Sequence, residues 1–309
     1  MEMNQSLVSV IIPAYNMADW TVEAVGSVLN QTYAPLEVIV VDDGSTDDTR
    51  RKLESFNGRV RYIYKENAGA SSARNEGIRQ ARGRYIGLLD CDDLYLPDKA
   101  RQSVQYLERH PRCGMVFTDI YFIDEGGKVM GRGKSDRRRC AGWVKEKLIV
   151  KNLIYNPSVL IRRECFDQAG LFAEDLFPPA DWDMWLRISE RYQIGYIGEP
   201  LSKYRVSSQW NFRNIDRFER ENEIVLERFF ARNTDVRKTL KNKAYARHYL
   251  TMAKYYLVQG QDDRARQYLV EALKCDRLDG MTNAIFLCFY VARADLRKRV
   301  AKTLFVNER

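Results

Sequence analysis

Residues 85–93 read Tyr-Ile-Gly-Leu-Leu-Asp-Cys-Asp-Asp, an apolar stretch that stops at three carboxylates. Acids crowded at the end of a strand repel one another unless a cation sits among them. Asp90 and Asp92 are two positions apart, so on an extended chain their side chains leave the same face. Asp93 then turns the opposite way or opens the following loop. Two same-side carboxylates can hold one hard divalent ion whose other ligands are substrate phosphates. The competing reading is an acid-rich turn that caps a helix starting near Pro97. The motif alone favours neither.

The elements around this motif come from hydrophobic periodicity. Residues 7–12 form a first strand ending at Pro13, with Tyr15 and Asn16 in the loop after it. A helix over about 19–30 carries Val22, Val25, Val28 and Leu29 as its apolar stripe. Residues 36–41 form a second strand, closed by Asp42-Asp43-Gly44-Ser45, and Asp47 or Asp48 can cap a helix running to about Phe56. Residues 59–64 are a third strand, 71–81 a third helix and 85–89 a fourth strand. This alternation of mostly apolar strands with helices implies a parallel, doubly wound sheet. Such sheets bind ligands at the carboxyl ends of their strands. The polar clusters Tyr15-Asn16, Asp42-Asp43, Asn67 and residues 90–93 all fall at those ends.

Beyond residue 100 the pattern is mixed, with strands at 114–119 and 157–161 and a basic, glycine-containing loop at 131–139. A helix over 181–192 carries Trp182, Trp185, Leu186 and Ile188. Past about residue 211 the chain reads as all helix. Residues 238–259 and 262–275 look like one tetratricopeptide-type hairpin turned at Gln259-Gly260-Gln261. A single such repeat cannot bury its own face, so it must pack on the first domain, a twin chain or a membrane. The domains are therefore expected at 1–211 and 212–309.

The chain has 309 residues and a net charge of +8. The excess lies in residues 212–309, with 21 Lys/Arg against 13 Asp/Glu, while residues 1–211 hold 29 of each. The tail thus suits an anionic surface such as phospholipid, or is a solvated helical face. The apolar run at 285–292 is too short to span a bilayer. Basic residues follow it at Arg293, Arg297, Lys298, Arg299 and Lys302, as in an interfacial helix or one packed in the domain core. Cysteines at 91, 113, 140, 165, 275 and 288 form no Cys-x-x-Cys pair, and the histidines are His110 and His248 alone. A structural zinc site and a disulfide framework are therefore not expected. No signal-peptide pattern opens the sequence, and a cytoplasmic location, peripheral at the inner membrane face, is the expectation.

No Gly-x-Gly-x-x-Gly follows the first strand and no full Gly-x-x-x-x-Gly-Lys-Ser/Thr loop occurs, since Gly133-Lys134-Ser135 has Lys128 where the leading glycine would stand. This argues against a nicotinamide dehydrogenase and against a P-loop enzyme. The remaining route to a diphosphate is a metal held by carboxylates. Five motifs then fall in order: Val8-Ser9-Val10-Ile11-Ile12-Pro13-Ala14-Tyr15-Asn16, Ser27-Val28-Leu29-Asn30-Gln31-Thr32-Tyr33, Val40-Val41-Asp42-Asp43-Gly44-Ser45-Thr46-Asp47, Asn67-Ala68-Gly69 leading to Ala73-Arg74-Asn75-Glu76-Gly77, and Leu89-Asp90-Cys91-Asp92-Asp93. Asp181-Trp182-Asp183-Met184-Trp185-Leu186-Arg187 and Tyr204-Arg205 follow. Over residues 6–206 the series resembles family 2 glycosyltransferases.

That resemblance implies the GT-A fold, an α/β architecture with a doubly wound mixed sheet, here followed by an all-helical region. It implies transfer with inversion from a nucleotide-diphospho-sugar, usually a UDP-sugar, as in hexosyl- and N-acetylhexosaminyl-transferases. Pro13 and Tyr15 would lie beside the base, Asp42 and Asp43 at uracil and ribose, and Asn67 and Arg74 at the nucleotide. Asp90 would approach the ribose, and Asp92 would ligate Mn²⁺ or Mg²⁺ with Asp93 beside it. Asp181 would be the catalytic base. The acceptor is a glycan, a lipid-linked or a protein hydroxyl; the tail would serve a membrane surface or a homo-oligomer; nucleic acid is not expected as a partner. Each residue keeps a plainer alternative: a tight turn with a helix cap for Asp42-Asp43-Gly44-Ser45, a surface arginine for Arg74, an N-cap for Asp181.

Two positions depart from the family pattern. Ala180 stands where Glu often precedes the base, and Ser207 where a His often completes the metal shell. These losses leave room for an inactive, transferase-like scaffold acting through its helical tail. A nucleotidyltransferase is a third reading, which the motif around Asp181 disfavours.

Overall fold

The computed structural model describes residues 5–56, 58–133, 141–206 and 215–276. Most of the basic loop at 131–139, Ser207, the 285–292 run and the basic residues after it lie outside them. The chain divides into two units, Met1–Val144 with Leu153–Gln209, and Lys145–Asn152 with Trp210–Arg309.

The first unit is built on one mixed sheet. Its strands are β1 (Val8–Ala14), β2 (Leu36–Asp42), β3 (Val60–Tyr64), β4 (Tyr85–Leu88), β5 (Leu94–Tyr95), β6 (Cys113–Ile123), β7 (Val129–Arg132), β8 (Val159–Arg162) and β9 (Gln193–Arg205). They run in the order β3-β2-β1-β4-β8-β6-β9-β5, with β7 beside β6. The β3-β2-β1-β4 half is parallel, as the alternation of strands and helices predicts. Antiparallel β8 then joins β4 to β6, and β6 pairs parallel with β9. The sheet is therefore not parallel throughout. This is the mixed sheet that the family resemblance implies, its reversal made by segments that carry no strand-helix-strand rhythm.

Every residue of β1 is buried, which is why it reads as an unbroken apolar run. Val8, Val10 and Ile12 join one core with Ala24, Val25 and Val28 of helix α1 (Ala18–Leu29) and Val104 and Leu107 of α4 (Lys99–Arg109). On the other face α3 (Ala70–Gln80) packs on β1 and β2. Pro13 sits inside β1, one residue past the expected strand end. The Ala14 carbonyl accepts from Asp43 on the β2 side, so position 13 faces the β4 side. The ladder to β4 stops at Ile11–Leu88, and the proline's missing N–H deprives no strand partner there.

Strand β9 has no counterpart in the periodicity reading. Gly195, Gly198 and Pro200 break its pattern, and the pairing with β6 jumps from Thr118–Ile197 to Asp119–Pro200. The two skipped residues make an irregularity that places the proline where the ladder is already interrupted. Helices α2 (Thr49–Leu53), α6 (Glu164–Ala169) and α7 (Ala180–Ser189) complete the unit.

In the second unit α5 (Lys145–Leu148) accompanies α8 (Ile215–Arg232), α9 (Lys238–Val258) and α10 (Asp262–Cys275). Lys145 donates to Asn233 Oδ1 at 2.9 Å, so this short segment belongs with the helices despite its place in the sequence. The α9–α10 hairpin turns at Gly260, whose φ of +75° is the left-handed region glycine tolerates. Its inner face is covered within the unit by α8, through Ile215 and Phe218 against Leu250, Met252, Ala253 and Leu257. Among the described residues no helix is long and apolar enough to cross a membrane. Cys91, Cys113 and Cys165 are buried free thiols, and Cys275 is partly exposed.

Gly77 marks the closest approach of α3 to the sheet. A Cβ there would collide with Ile11 Cγ2 and stand 3.3 Å from Val41 Cγ2. Gly77→Ala should therefore cost about 1–3 kcal/mol despite alanine's better helix propensity. Urea unfolding checks this, and a stabilised variant would show that the helix–sheet contact is looser than the geometry implies.

Candidate active site

The loops after β1, β2 and β3 are sewn together at the carboxyl edge of the sheet. Asn16 takes a left-handed φ of +50°, and its amide carbonyl accepts the Thr46 N–H at 2.8 Å. Its own N–H donates to Ser45 Oγ at 3.0 Å. One oxygen of Asp47 accepts from the Thr49 N–H and hydroxyl at the start of α2, and its other oxygen accepts the Ala18 N–H that begins α1. Asp48 stands at the N-cap position of α2 without a side-chain bond to the helix, and Asp47, one residue earlier, serves the first N–H of two helices at once.

Asp42 and Asp43 are buried. Asp42 accepts from the Ser45 N–H (2.8 Å) and the Tyr62 hydroxyl (2.6 Å). Asp43 accepts from Lys65 Nζ (2.7 Å) and the N–H groups of Ala68 (3.1 Å) and Gly69 (2.7 Å). Both carboxylates thus shape the loop that the turn alternative describes, and they set the ends of β2 and β3 together. Gly44, at φ +85°, lets Asn67 approach, since a Cβ there would lie 2.9 Å from the Asn67 nitrogen. Asn67 itself is exposed, as is Tyr15 at the end of β1, whereas Pro13 is buried.

Residues 90–93 are not extended. The Asp93 N–H bonds back to the Asp90 carbonyl at 3.0 Å, so the acids are gathered by a tight turn and not by strand alternation. Cys91 faces inward, its sulfur 3.7 Å from Met17 Sδ, and burial pushes its thiol far up. Asp90 and Asp92 stay partly exposed. Asp93 is 1% exposed, its Oδ1 accepts the Arg205 N–H at 2.8 Å, and its Oδ2 has no partner among the described residues.

Arg74 is buried, which removes the surface-arginine alternative. From α3 it reaches Asp90 Oδ1 at 2.5 Å, while its guanidinium carbon sits 5.7 Å from the Phe172 ring centre. Asp90 Oδ2 accepts from Asn156 at 3.1 Å. Asn156 escaped the sequence reading, as did its support. Its turn, Asn156–Ser158, is held by Lys99 Nζ on the Ser158 carbonyl (2.8 Å) and by the Ser202 hydroxyl on the Pro157 carbonyl (2.5 Å). Burial brings the Lys99 amine down to about 7. The only advance signal for this turn was the Asn-Pro-Ser triplet.

Asp181 lies in the first turn of α7 and accepts the Trp182 N–H at 2.5 Å. The helix begins at Ala180, so Asp181 is inside it and is not its N-cap. Ala180 is fully buried. The loop before α7 is organised by α3: Asn75 bonds both the N–H and carbonyl of Phe172, and Ser71 the carbonyl of Leu176. One helix therefore positions Arg74 and the approach to Asp181. The charge of Asp181 acts on Arg74 together with that of Asp90.

Electrostatics follow from this crowding. Burial, then the charge of Asp90, pushes the Asp92 carboxyl up to about 6 against the pull of Arg205 and Arg74. Burial, then Asp92 and Asp90, raises Asp93 well above the carboxylate range. Burial and the same acids raise the Tyr204 hydroxyl. Three buried polar atoms here, Arg74 Nε, Asp93 Oδ2 and Asn156 Oδ1, lack partners among the described residues. The oxygens of Asp92 and Asp93 Oδ2 suit Mn²⁺ or Mg²⁺, which keep water and phosphate in the rest of their shell. No cluster of three His, Cys, Asp or Glu able to hold an ion by itself occurs among the described residues.

A carboxyl whose pKa is raised on folding holds its proton more tightly in the folded chain. Ionising it therefore lowers stability as pH rises through the folded value. In EDTA, the wild type should lose on the order of 1–3 kcal/mol relative to Asp92→Asn between pH 5 and pH 8. Parallel unfolding curves for the two proteins across that range would contradict the assignment.

The glycosyl transferase family 2 model matches residues 9–168, slightly more than half of the chain. An uncharacterized glycosyltransferase of Rickettsia prowazekii is 36% identical over 207 residues, covering 65% of this chain and 64% of its own. Chondroitin synthase of Escherichia coli is 36% identical over 187 residues, covering 60% of this chain and 26% of its own. The chain spans between 29% and 64% of the length of the five Rickettsia relatives it matches. S. aureus TarS 1–349 in complex with UDP-GlcNAc superposes with a TM-score of 0.67 at 16% identity, covering 97% of this chain and 92% of that one. The mannosyltransferase PcManGT from Pyrobaculum calidifontis, in complex with GDP-Man and Mn²⁺, gives 0.62 at 19% identity, covering 99% and 86%. At such identities the structural likeness speaks for the fold, which is GT-A.

Proposed function

Because the chain belongs to glycosyl transferase family 2, we propose that it moves a sugar, with inversion, from a UDP-sugar to an acceptor hydroxyl, with Asp181 as general base. The observation that carries this reading is the placement of Arg74. One buried guanidinium bonds Asp90 and feels the charge of Asp181, so the carboxylate loop and the base candidate share one charge network. The UDP-GlcNAc held by TarS and the GDP-Man and Mn²⁺ held by PcManGT support a nucleotide-sugar donor. A relative named chondroitin synthase supports a glycan acceptor.

Tyr15, exposed just after β1, offers its ring to the base, and Pro13, buried near the end of that strand, lies on the same side of the nucleotide. Asn67 and the loop shaped by Asp42 and Asp43 border the nucleoside, and Asp90, oriented by Arg74 and Asn156, meets the ribose. Asp92, with Asp93 Oδ2 behind it, would hold Mn²⁺ or Mg²⁺, which when bound neutralises charge on the leaving diphosphate. Asp181 takes the proton of the acceptor hydroxyl as that oxygen bonds to the anomeric carbon. The bond from the anomeric carbon to the diphosphate oxygen breaks on the opposite face, UDP carries away the electron pair, and the configuration inverts.

Asp181→Asn separates a base from a structural first-turn acid. Asn at the same place keeps the size of the side chain and its hydrogen bond to the backbone, so the melting temperature should hold while transfer falls roughly 10²-fold or more. Near-normal turnover would remove Asp181 as the base. Hydrolysis of UDP-sugars by the wild type is expected as a side reaction; complete inertness toward a donor panel would favour the scaffold reading.

With two protein carboxylates as its only assigned protein ligands, the ion depends on phosphate oxygens. Calorimetric titration should find Mn²⁺ binding weak to the free chain and at least about tenfold tighter with UDP present. Tight binding to the free chain would mean that a further protein ligand completes the shell.

A further inference from the structure

Arg205 closes β9, and its side chain is 1% exposed. Its backbone N–H donates to Asp93 Oδ1 at 2.8 Å. Its Nε donates to the Asp92 carbonyl at 2.7 Å, and its Nη1 to the carbonyls of Glu125 at 2.7 Å and Asp124 at 3.4 Å. Its Nη2 meets Glu23 Oε2 at 2.8 Å, and the guanidinium carbon lies 5.1 Å from the centre of the Trp20 ring. Glu23 and Trp20 belong to α1, and residues 124 and 125 to the turn between β6 and β7. One planar group thus ties α1, β9 and the β6–β7 turn to the backbone of Asp92, while its own peptide N–H orients Asp93. No substrate contact is assigned to it.

We propose that Arg205 is a positioning residue for the donor site, fixing where the Asp92 and Asp93 carboxylates stand and so setting the affinity for a metal-bound diphosphate that it does not touch. The inference rests on reading residues 90–93 as a metal–diphosphate site. A lysine could keep the charge but not the fork, which here serves the Asp92 carbonyl, the turn and Glu23 in three directions. Loosening the fork frees the Asp92 peptide to rotate, and a carboxylate displaced by a fraction of an ångström is a poor ligand. At the nucleoside end, the loops after β1, β2 and β3 take part in none of the fork's contacts, and the Asp90 side chain is held separately by Arg74 and Asn156.

The test compares wild type, Arg205→Lys and Glu23→Gln in three titrations: uridine, UDP in EDTA, and UDP with Mn²⁺. Each protein's melting temperature is measured beside them. Arg205→Lys should lose roughly 10-fold or more of the Mn²⁺ enhancement of UDP affinity, with uridine affinity unchanged. Glu23 is half exposed, so Glu23→Gln should keep its melting temperature and lose about two- to threefold of the same enhancement. A general packing role would lower uridine and UDP affinity together, and that result overturns the proposal, as does an unchanged enhancement in folded variants. If Arg205→Lys does not fold, Glu23→Gln decides by the same criterion. A wild type whose UDP affinity ignores Mn²⁺ would overturn the donor-site reading itself, and this inference with it.

Discussion

Mutual repulsion among the carboxylates of Asp90, Asp92 and Asp93 is the constraint around which the first unit is arranged. Three acids within four residues, one of them fully buried, would drive the turn open or force protonation if nothing opposed them. Two arginines oppose them from different elements. Arg74 comes from α3 and takes the side chain of Asp90. Arg205 comes from β9 and takes the backbone carbonyl of Asp92. This division matters: the Asp90 charge is compensated directly, whereas those of Asp92 and Asp93 are compensated only at a distance. Burial together with this incomplete compensation raises the pKa values of the latter two.

The sheet explains why those two arginines can reach one loop. The turn at residues 90–93 follows β4, where the parallel half of the sheet gives way to the antiparallel partner β8. Elements before β4 supply α3, packed across β1 and β2. Elements after it supply the Asn156–Ser158 turn entering β8 and the end of β9. A wholly parallel sheet would have placed another helical crossover beside β4. The reversal instead brings loops from late in the chain against the acids, which is how Asn156 and Arg205 arrive there. The change of strand direction is thus the topological condition of the site as well as a detail of the fold.

The parallel half was legible because its strands are buried on both faces and its helices keep a 3.6-residue stripe, so local pattern and tertiary role agree. The carboxyl-edge acids were legible for the same reason, as each ends an apolar run. The tight turn at 90–93 was not, since alternation presupposes an extended chain and a hydrogen bond from the Asp93 N–H to the Asp90 carbonyl has no spacing of its own. Asn156 and Arg205 stand 66 and 113 residues from the acids they serve. Nothing local to either residue announces such a contact, because only the strand order creates it. β9 was obscured differently: its glycines and proline look like breakers, yet an irregular ladder accommodates them. In the helical region, the hairpin was legible to the residue at Gly260, but the covering of its face by α8 depended on packing that periodicity does not specify.

Asp42 and Asp43 show how structural and chemical readings of one residue coexist. Their carboxylates are saturated by loop N–H groups, a tyrosine and a lysine, which is what a turn requires. Residues 90–93 differ in kind, because there the turn is closed by backbone and carboxylate capacity is left over. Arg74 Nε, Asp93 Oδ2 and Asn156 Oδ1 are all buried and all lack partners among the described residues. Each such atom disfavours the ligand-free fold by roughly 1–3 kcal/mol, a cost that natural cores avoid unless something else satisfies it. Saturated acids at β2 and unsaturated groups around β4 therefore divide the carboxyl edge into two halves. On the proposed donor-site reading the ligand's charged end belongs to the second, where binding would relieve an electrostatic and hydrogen-bonding deficit built into the protein.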